Sequence, residues 1–368
     1  MKRILLTSTA LIVLAGAAAA EVSFSGTATL GYNTDENSGF TGDNHEGFYW
    51  DGNIAVSLSQ ELDNGVTASA AFDFDFSDED LGQTLDSGGV VLTLSSDLGS
   101  LIYGDTAFAA QTYWAAAGDM EQDSFSEADG ETVLRGELVY GTITAGLSYV
   151  VANSDGDRVN TDASADAEVD QLSVGVTASF GAVSVALAYQ EESSATAGFY
   201  SGNGDFNQDE VLGVSATAAF AGADITVAYA TNSTDDEDSI GLKVAYPFGP
   251  VTGTVYYVEE SNGDPNLGVN IAYADGPISV TLDFADEQGT AVMGLEGSYD
   301  LGNGLEIFAG YLTKDNEDDR FYVAGSYDLG SGASLLVSYA EDDGNVDEDE
   351  IGAGDYQRGT TIEVSLEF

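Results

Sequence analysis

The chain is 368 residues long, without cysteine, with one histidine, and with 8 basic against 64 acidic side chains for a formal charge of −56. That balance argues against nucleic acid and anionic lipid headgroups as direct partners, since binding them relies on Lys and Arg. The absence of thiols excludes disulfides and thiolate metal sites, and so large a charge favours surroundings in which salt or divalent ions screen self-repulsion.

In chain order, residues 1–20 read as a cleaved signal peptide: Lys2 and Arg3, an apolar run over 4–14, then Ala18, Ala19 and Ala20 before Glu21. No stretch approaches the roughly 20 apolar residues of a spanning helix. A membrane span here would be built of strands, and residues 21–368 read as one domain without a linker.

Alternation begins at once. Val22, Phe24, Ala28, Leu30 and Tyr32 oppose Ser23, Ser25, Thr27 and Thr29, the period-2 signature of a strand between unlike environments. The pattern recurs over 172–180, 183–189, 240–246 and 267–273. It ends with Ile362, Val364, Leu366 and Phe368 against Thr361, Glu363, Ser365 and Glu367. A soluble sandwich also alternates; the connections separate the two. Short turns (63–65, 141–142, 181–182, 247–250, and the duplicated "SYDLGNG" at 298–304 and "SYDLGSG" at 326–332) alternate with long acidic stretches (34–46, 77–88, 106–131, 154–169, 191–208, 341–357). This is the rhythm of an all-β, transmembrane, antiparallel up-and-down barrel, with about twenty candidate segments.

Aromatic residues mark both edges of the apolar band. Tyr140, Phe180, Phe220, Tyr246, Tyr273, Tyr299 and Tyr327 precede short turns, and Tyr149, Tyr189, Tyr229, Tyr257, Phe284, Tyr311 and Tyr339 follow one strand length on. Two girdles at the membrane interfaces result. The same phase turns Asp73, Asp75, Glu137, Asp283, Glu296 and Glu306 toward the lumen, joined by Arg135, Lys243 and Arg320. With so few cations among them, the aqueous path is expected to prefer cations.

Catalysis has little to work with. Hydrolysis in a barrel needs a positioned base or nucleophile pair, and the one histidine, His45, sits in an acidic loop; no catalytic residue and no cofactor is assigned. The acidic outer runs, such as 315–319 and 342–350, are candidates for Ca2+ or Mg2+ through oxygen ligands, though none matches a calcium-loop spacing. A structural or adhesive barrel and a substrate-specific channel stay open as alternatives.

The opening "EVSFSGTATLGYN" (21–33), the "GSLIYGD" string (99–105) running into a long loop, the paired "SYDLG" strand ends and the terminal Phe368 resemble the general-diffusion porins of the alphaproteobacterial type, over essentially the whole chain after the signal. The resemblance implies a sixteen-stranded barrel in the outer membrane, in contact with lipid and lipopolysaccharide and assembled as a homotrimer. It implies a water-filled channel for passive diffusion of small hydrophilic solutes and ions. It also implies that the third loop, 106–131, folds inward: Asp119, Glu121, Asp123, Glu127 and Asp129 would line the constriction, Tyr113 and Trp114 would pack it on the wall, and Arg135 would be the counter-charge.

Overall fold

The computed structural model describes residues 20–35, 46–77, 84–127, 132–152, 170–193, 206–317, 319–342 and 350–368. Its strands are β1 (Glu21–Asn33), β2 (Gly47–Glu61), β3 (Thr67–Ser77), β4 (Thr84–Ser96), β5 (Gly99–Gly104), β6 (Thr132–Tyr140), β7 (Ile143–Ala152) and β8 (Asp170–Phe180). They continue as β9 (Val183–Gln190), β10 (Val211–Phe220), β11 (Ala223–Asn232), β12 (Glu237–Phe248), β13 (Val251–Glu260), β14 (Asn266–Asp275) and β15 (Ile278–Glu287). Last come β16 (Thr290–Gly302), β17 (Leu305–Lys314), β18 (Arg320–Gly330), β19 (Ala333–Asp342), the short β20 (Glu350–Ile351) and β21 (Tyr356–Gln357), and β22 (Gly359–Glu367).

Each strand pairs antiparallel with the next, β19 pairs with β22, and β22 pairs with β1 from Thr27↔Glu367 to Asn33↔Thr361. The result is a closed, 20-stranded sheet, with β20–β21 apart as a two-stranded hairpin. Closure leaves no unpaired edge, the condition for a β-structure to cross a bilayer. The strand number is that of the segment count, and it exceeds the sixteen that the resemblance implies because every alternating segment finds a place in the ladder.

The two faces differ as period-2 chemistry requires. In β12, Ile240 and Leu242 are exposed (52% and 47%) while Ser239, on the opposite phase of the same strand, is fully buried at 0%. In β22, Ile362, Val364 and Leu366 lie on the exposed apolar face, with Glu363 and Ser365 on the other. Rings fringe that apolar face at one rim, among them Tyr140, Phe180, Phe220, Tyr246, Tyr299 and Tyr327, and at the other rim with Tyr229, Tyr257, Phe284, Tyr311 and Tyr339. The duplicated strings make matched turns. Asp300 Oδ1 accepts the Gly302 N–H and Asp328 Oδ1 the Gly330 N–H, each at 2.7 Å, beside a register shift of the ladder, so the carboxylate caps a β-bulge just before the turn.

Candidate pore constriction

The chain leaves the wall at the end of β5. Gly104 has φ 131°, and a side chain there would strike the Val90 carbonyl, so glycine permits the turn out of the sheet. From there 105–127 runs across the face opposite the apolar one, over β7 to β14. A chord touching that many strands of a closed sheet can follow only its concave side, so this face is the inner one.

Local chemistry holds the segment at every step. Phe108 is fully buried against Val133 and Val150. The short helix α1 (Ala109–Tyr113) begins with two amides that no turn of its own satisfies. Wall serines accept them, Ser148 Oγ from Ala109 at 2.9 Å and Ser173 Oγ from Ala110 at 2.8 Å. Trp114 lies over Gly213, where a Cβ would come within 2.5 Å of the indole. Its Nε1–H donates to Asp123 Oδ2 at 2.7 Å and its ring packs 5.7 Å from Phe125. Ala117 sits on Gly241 and Gly118 on Tyr256. Beyond this the chain doubles back, tied by Ser239 Oγ to the Gln122 amide (3.1 Å), by Glu260 to the Glu121 amide (3.1 Å), and by Gln190 to the Ser126 amide (2.7 Å).

The acidic residues of the segment meet neutral donors. Asn266 Nδ2 donates to Asp119 Oδ2 at 3.3 Å and Glu121 Oε1 at 3.0 Å. Burial pushes Asp123 up to about 6, with Asp119 and Glu260 raising it further and the Trp114 bond opposing them. Partial burial, then Glu121, raises Asp119 as well. Glu127 is exposed, and Asp129 lies outside the described residues, as does His45.

The cations act as anchors. Lys243 Nζ donates to the Ala116 carbonyl at 3.0 Å. Arg135, 9% exposed, pairs with Glu137 at 3.1 Å and donates to Thr112 Oγ1 at 2.9 Å and to the Ala107 carbonyl. Its guanidinium thus holds the start of the segment instead of facing Asp119, Glu121 or Asp123 across a gap. On other strands the ladder sets Asp73 and Asp75 beside Asn53, which donates to Asp75 at 2.7 Å. Asp283 accepts from Asn270, Glu296 from Tyr322 Oη at 2.7 Å, and Glu306 from Ser298 Oγ at 2.7 Å.

A family model of the Gram-negative porins matches residues 7–347. The chain belongs to the Gram-negative porin family. Solved structures of Rhodopseudomonas blastica porin variants are similar to it. One with five substitutions has 15% identity and a TM-score of 0.47, covering 94% of this chain and 100% of that one; a triple variant has 14% and 0.45 at the same coverage. No curated protein matches. Family and barrel together point to a channel of the outer membrane.

Sequence reasoning passed over the wall partners of the porin's inward segment. Their signal was the run of small side chains, Gly175, Gly213, Gly241, Ser148, Ser173 and Ser239, on one phase of β7 to β12. It also passed over a second inward piece. Within 341–357, read as an acidic outer stretch, the β20–β21 hairpin turns inward and buries Ile351 and Tyr356 against Tyr322, Ala324 and Ala340. Asp342 is no solvated tip, for Arg358 bridges it (3.3 Å) to Asp35 (3.0 Å) in a buried triad. The rest of the acidic run, 343–349, a candidate for Ca2+ or Mg2+, lies outside the described residues; among those described, no cluster of His, Asp or Glu is set to hold a metal.

Proposed function

We propose that this porin forms a water-filled, cation-preferring channel for the passive diffusion of small hydrophilic solutes, narrowed by the segment within 106–131. The observation that carries the reading is that Asp119, Glu121 and Asp123 lie on a segment laid over the inner wall, bonded to Asn266 and Trp114 instead of to cations. Asp73, Asp75, Glu137, Asp283, Glu296 and Glu306 add fixed negative charge, and of the cations Arg135 is already compensated by Glu137. Fixed charge around an aqueous path concentrates counter-ions and repels co-ions, an effect that weakens as the screening length falls from about 10 Å at 0.1 M salt to about 3 Å at 1 M. Homotrimer assembly, contact with lipopolysaccharide and removal of residues 1–20 extend the reading on the strength of the family.

A reversal-potential measurement across a potassium chloride gradient, with refolded protein in a planar bilayer, tests it. The sign is expected to be cation-selective and larger at low salt. The triple substitution Asp119→Asn, Glu121→Gln, Asp123→Asn should reduce selectivity while conductance persists. An anion-selective sign, or no change in the triple variant, would refute the reading.

A further inference from the structure

The inward hairpin roofs an alcove in the wall remote from the first segment. Tyr356 stacks on Tyr322 with ring centroids 4.6 Å apart, and the Ala353 amide donates to Glu296 Oε1 at 3.2 Å. Between roof and wall lies a cavity of about 600 Å³, lined among others by Glu296, Phe308, Tyr322, Tyr356 and Glu363.

Its charge is one-sided. The Tyr322 hydroxyl donates to Glu296 Oε1 at 2.7 Å and, from outside the lining, the Tyr49 hydroxyl donates to Glu363 Oε2 at 2.7 Å, so each carboxylate meets a neutral donor. Glu296 Oε2 has no donor among the described residues, and no Lys or Arg lines the cavity. Beside the hydroxyls of Ser279, Thr281, Ser298, Ser326 and Ser334, a visitor meets carboxylate oxygen and the faces of aromatic rings. Those groups favour a ligand that only donates and carries positive charge, through charge-assisted hydrogen bonds and cation–π contact. A neutral saccharide can use the wall hydroxyls but gains nothing from the charge of the two carboxylates.

We propose that the β20–β21 hairpin is a second selectivity element, and that the alcove beneath it is a transit site for small organic cations bearing ammonium or guanidinium groups. This rests on the channel reading above and adds a substrate class to it. The hairpin sets the site because it supplies Tyr356 and Ala353, and Arg358, bridging Asp35 and Asp342, pins its base.

The test is current block by agmatine, a guanidinium joined to an ammonium, with glucose as the neutral comparison, on the full mature chain in planar bilayers. Agmatine should block wild-type current partially and saturably. The half-blocking concentration should rise at least tenfold in Glu296→Gln and in Tyr356→Leu, the second of which leaves every barrel strand intact. Glucose should not block over the same range. Agmatine block unchanged in both variants, or glucose blocking as well as agmatine, overturns the proposal. The potassium chloride reversal potential in the same bilayers separates the two readings: cation selectivity without an alcove effect removes only the organic-cation site, whereas loss of cation selectivity removes the channel reading on its own.

Discussion

Two stretches of the inner wall carry inward chain, and they do so by opposite means. Over β7 to β12 the wall presents glycine, serine and alanine, and the segment supplies the bulk: Phe108, Trp114, Met120 and Phe125. Over β17 to β19 the wall supplies the bulk itself, with Phe308, Tyr322 and Leu336, and a short hairpin adds Ile351 and Tyr356. A long excursion needs a shallow bed with amide acceptors along it; a short one needs large side chains to lean on and a firm tether at its base.

The tether gives the largest expected effect. Arg358→Ala leaves Asp35 and Asp342 buried without their cation, and losing one partner of a buried ionic group costs about 3–5 kcal/mol. Chemical unfolding in detergent should show this loss, while Arg358→Lys should recover part of it. A loss below 1 kcal/mol would mean that the hairpin holds itself.

Next is the contrast between faces of a strand under the long segment. On β9, Leu187 is 40% exposed on the apolar face, and Ser184 pairs with Ser179 on the inner one. Leu187→Arg should destabilise by about 2–4 kcal/mol at mid-membrane and Ser184→Arg by little. Equal losses would reverse the assignment of faces.

The bed itself can be overfilled. Gly213→Leu intrudes on the Trp114 ring and should cost about 1–3 kcal/mol, the usual range for overpacking, with a change in single-channel conductance as the segment shifts. An unchanged conductance would show that Trp114 is not fixed by the wall.

The smallest effect sharpens the electrostatics of the first region. Because burial raises Asp123 to about 6, cation selectivity should begin to fall as pH drops through 6, above the range in which ordinary carboxylates titrate. The sign for stability is the reverse: a raised folded-state pKa means that the folded protein binds the proton first, so this group favours the folded state more at pH 5 than at pH 7. Asp123→Asn should remove the early limb of the selectivity curve.

Much of the barrel was legible in the chain because lipid and water impose period 2 at every strand, as Ile362 to Glu367 display, and because Asp300 and Asp328 sit in repeated strings. Gly104 was legible as part of "YGD" but not as a pivot, since a positive φ leaves no mark beyond glycine itself. The role of Arg135 was misread for a physical reason: phase fixes the face of a side chain but not its partner, and the Ala107 carbonyl and Thr112 are brought to it only by the fold. The hairpin was hidden because Ile351 and Tyr356 stand in an acidic stretch without periodicity, and their partners, Tyr322 and Ala340, come from other strands.

The seam between β1 and β22 bears on how such a barrel changes size. Gly26 and Phe368 exchange N–H···O=C bonds at 3.2 and 2.9 Å, joining the two ends of a very long loop. The entropy of closing a loop grows only with the logarithm of its length, about 0.6 kcal/mol per doubling. Passing from sixteen strands to twenty is far less than a doubling, so added hairpins hardly burden the last closing step. What grows faster is the cross-section, roughly as the square of the strand number if the diameter scales linearly with it. Circumference is therefore an easy variable for this architecture and filtering is the hard one, and each gain in girth calls for another piece of chain turned inward.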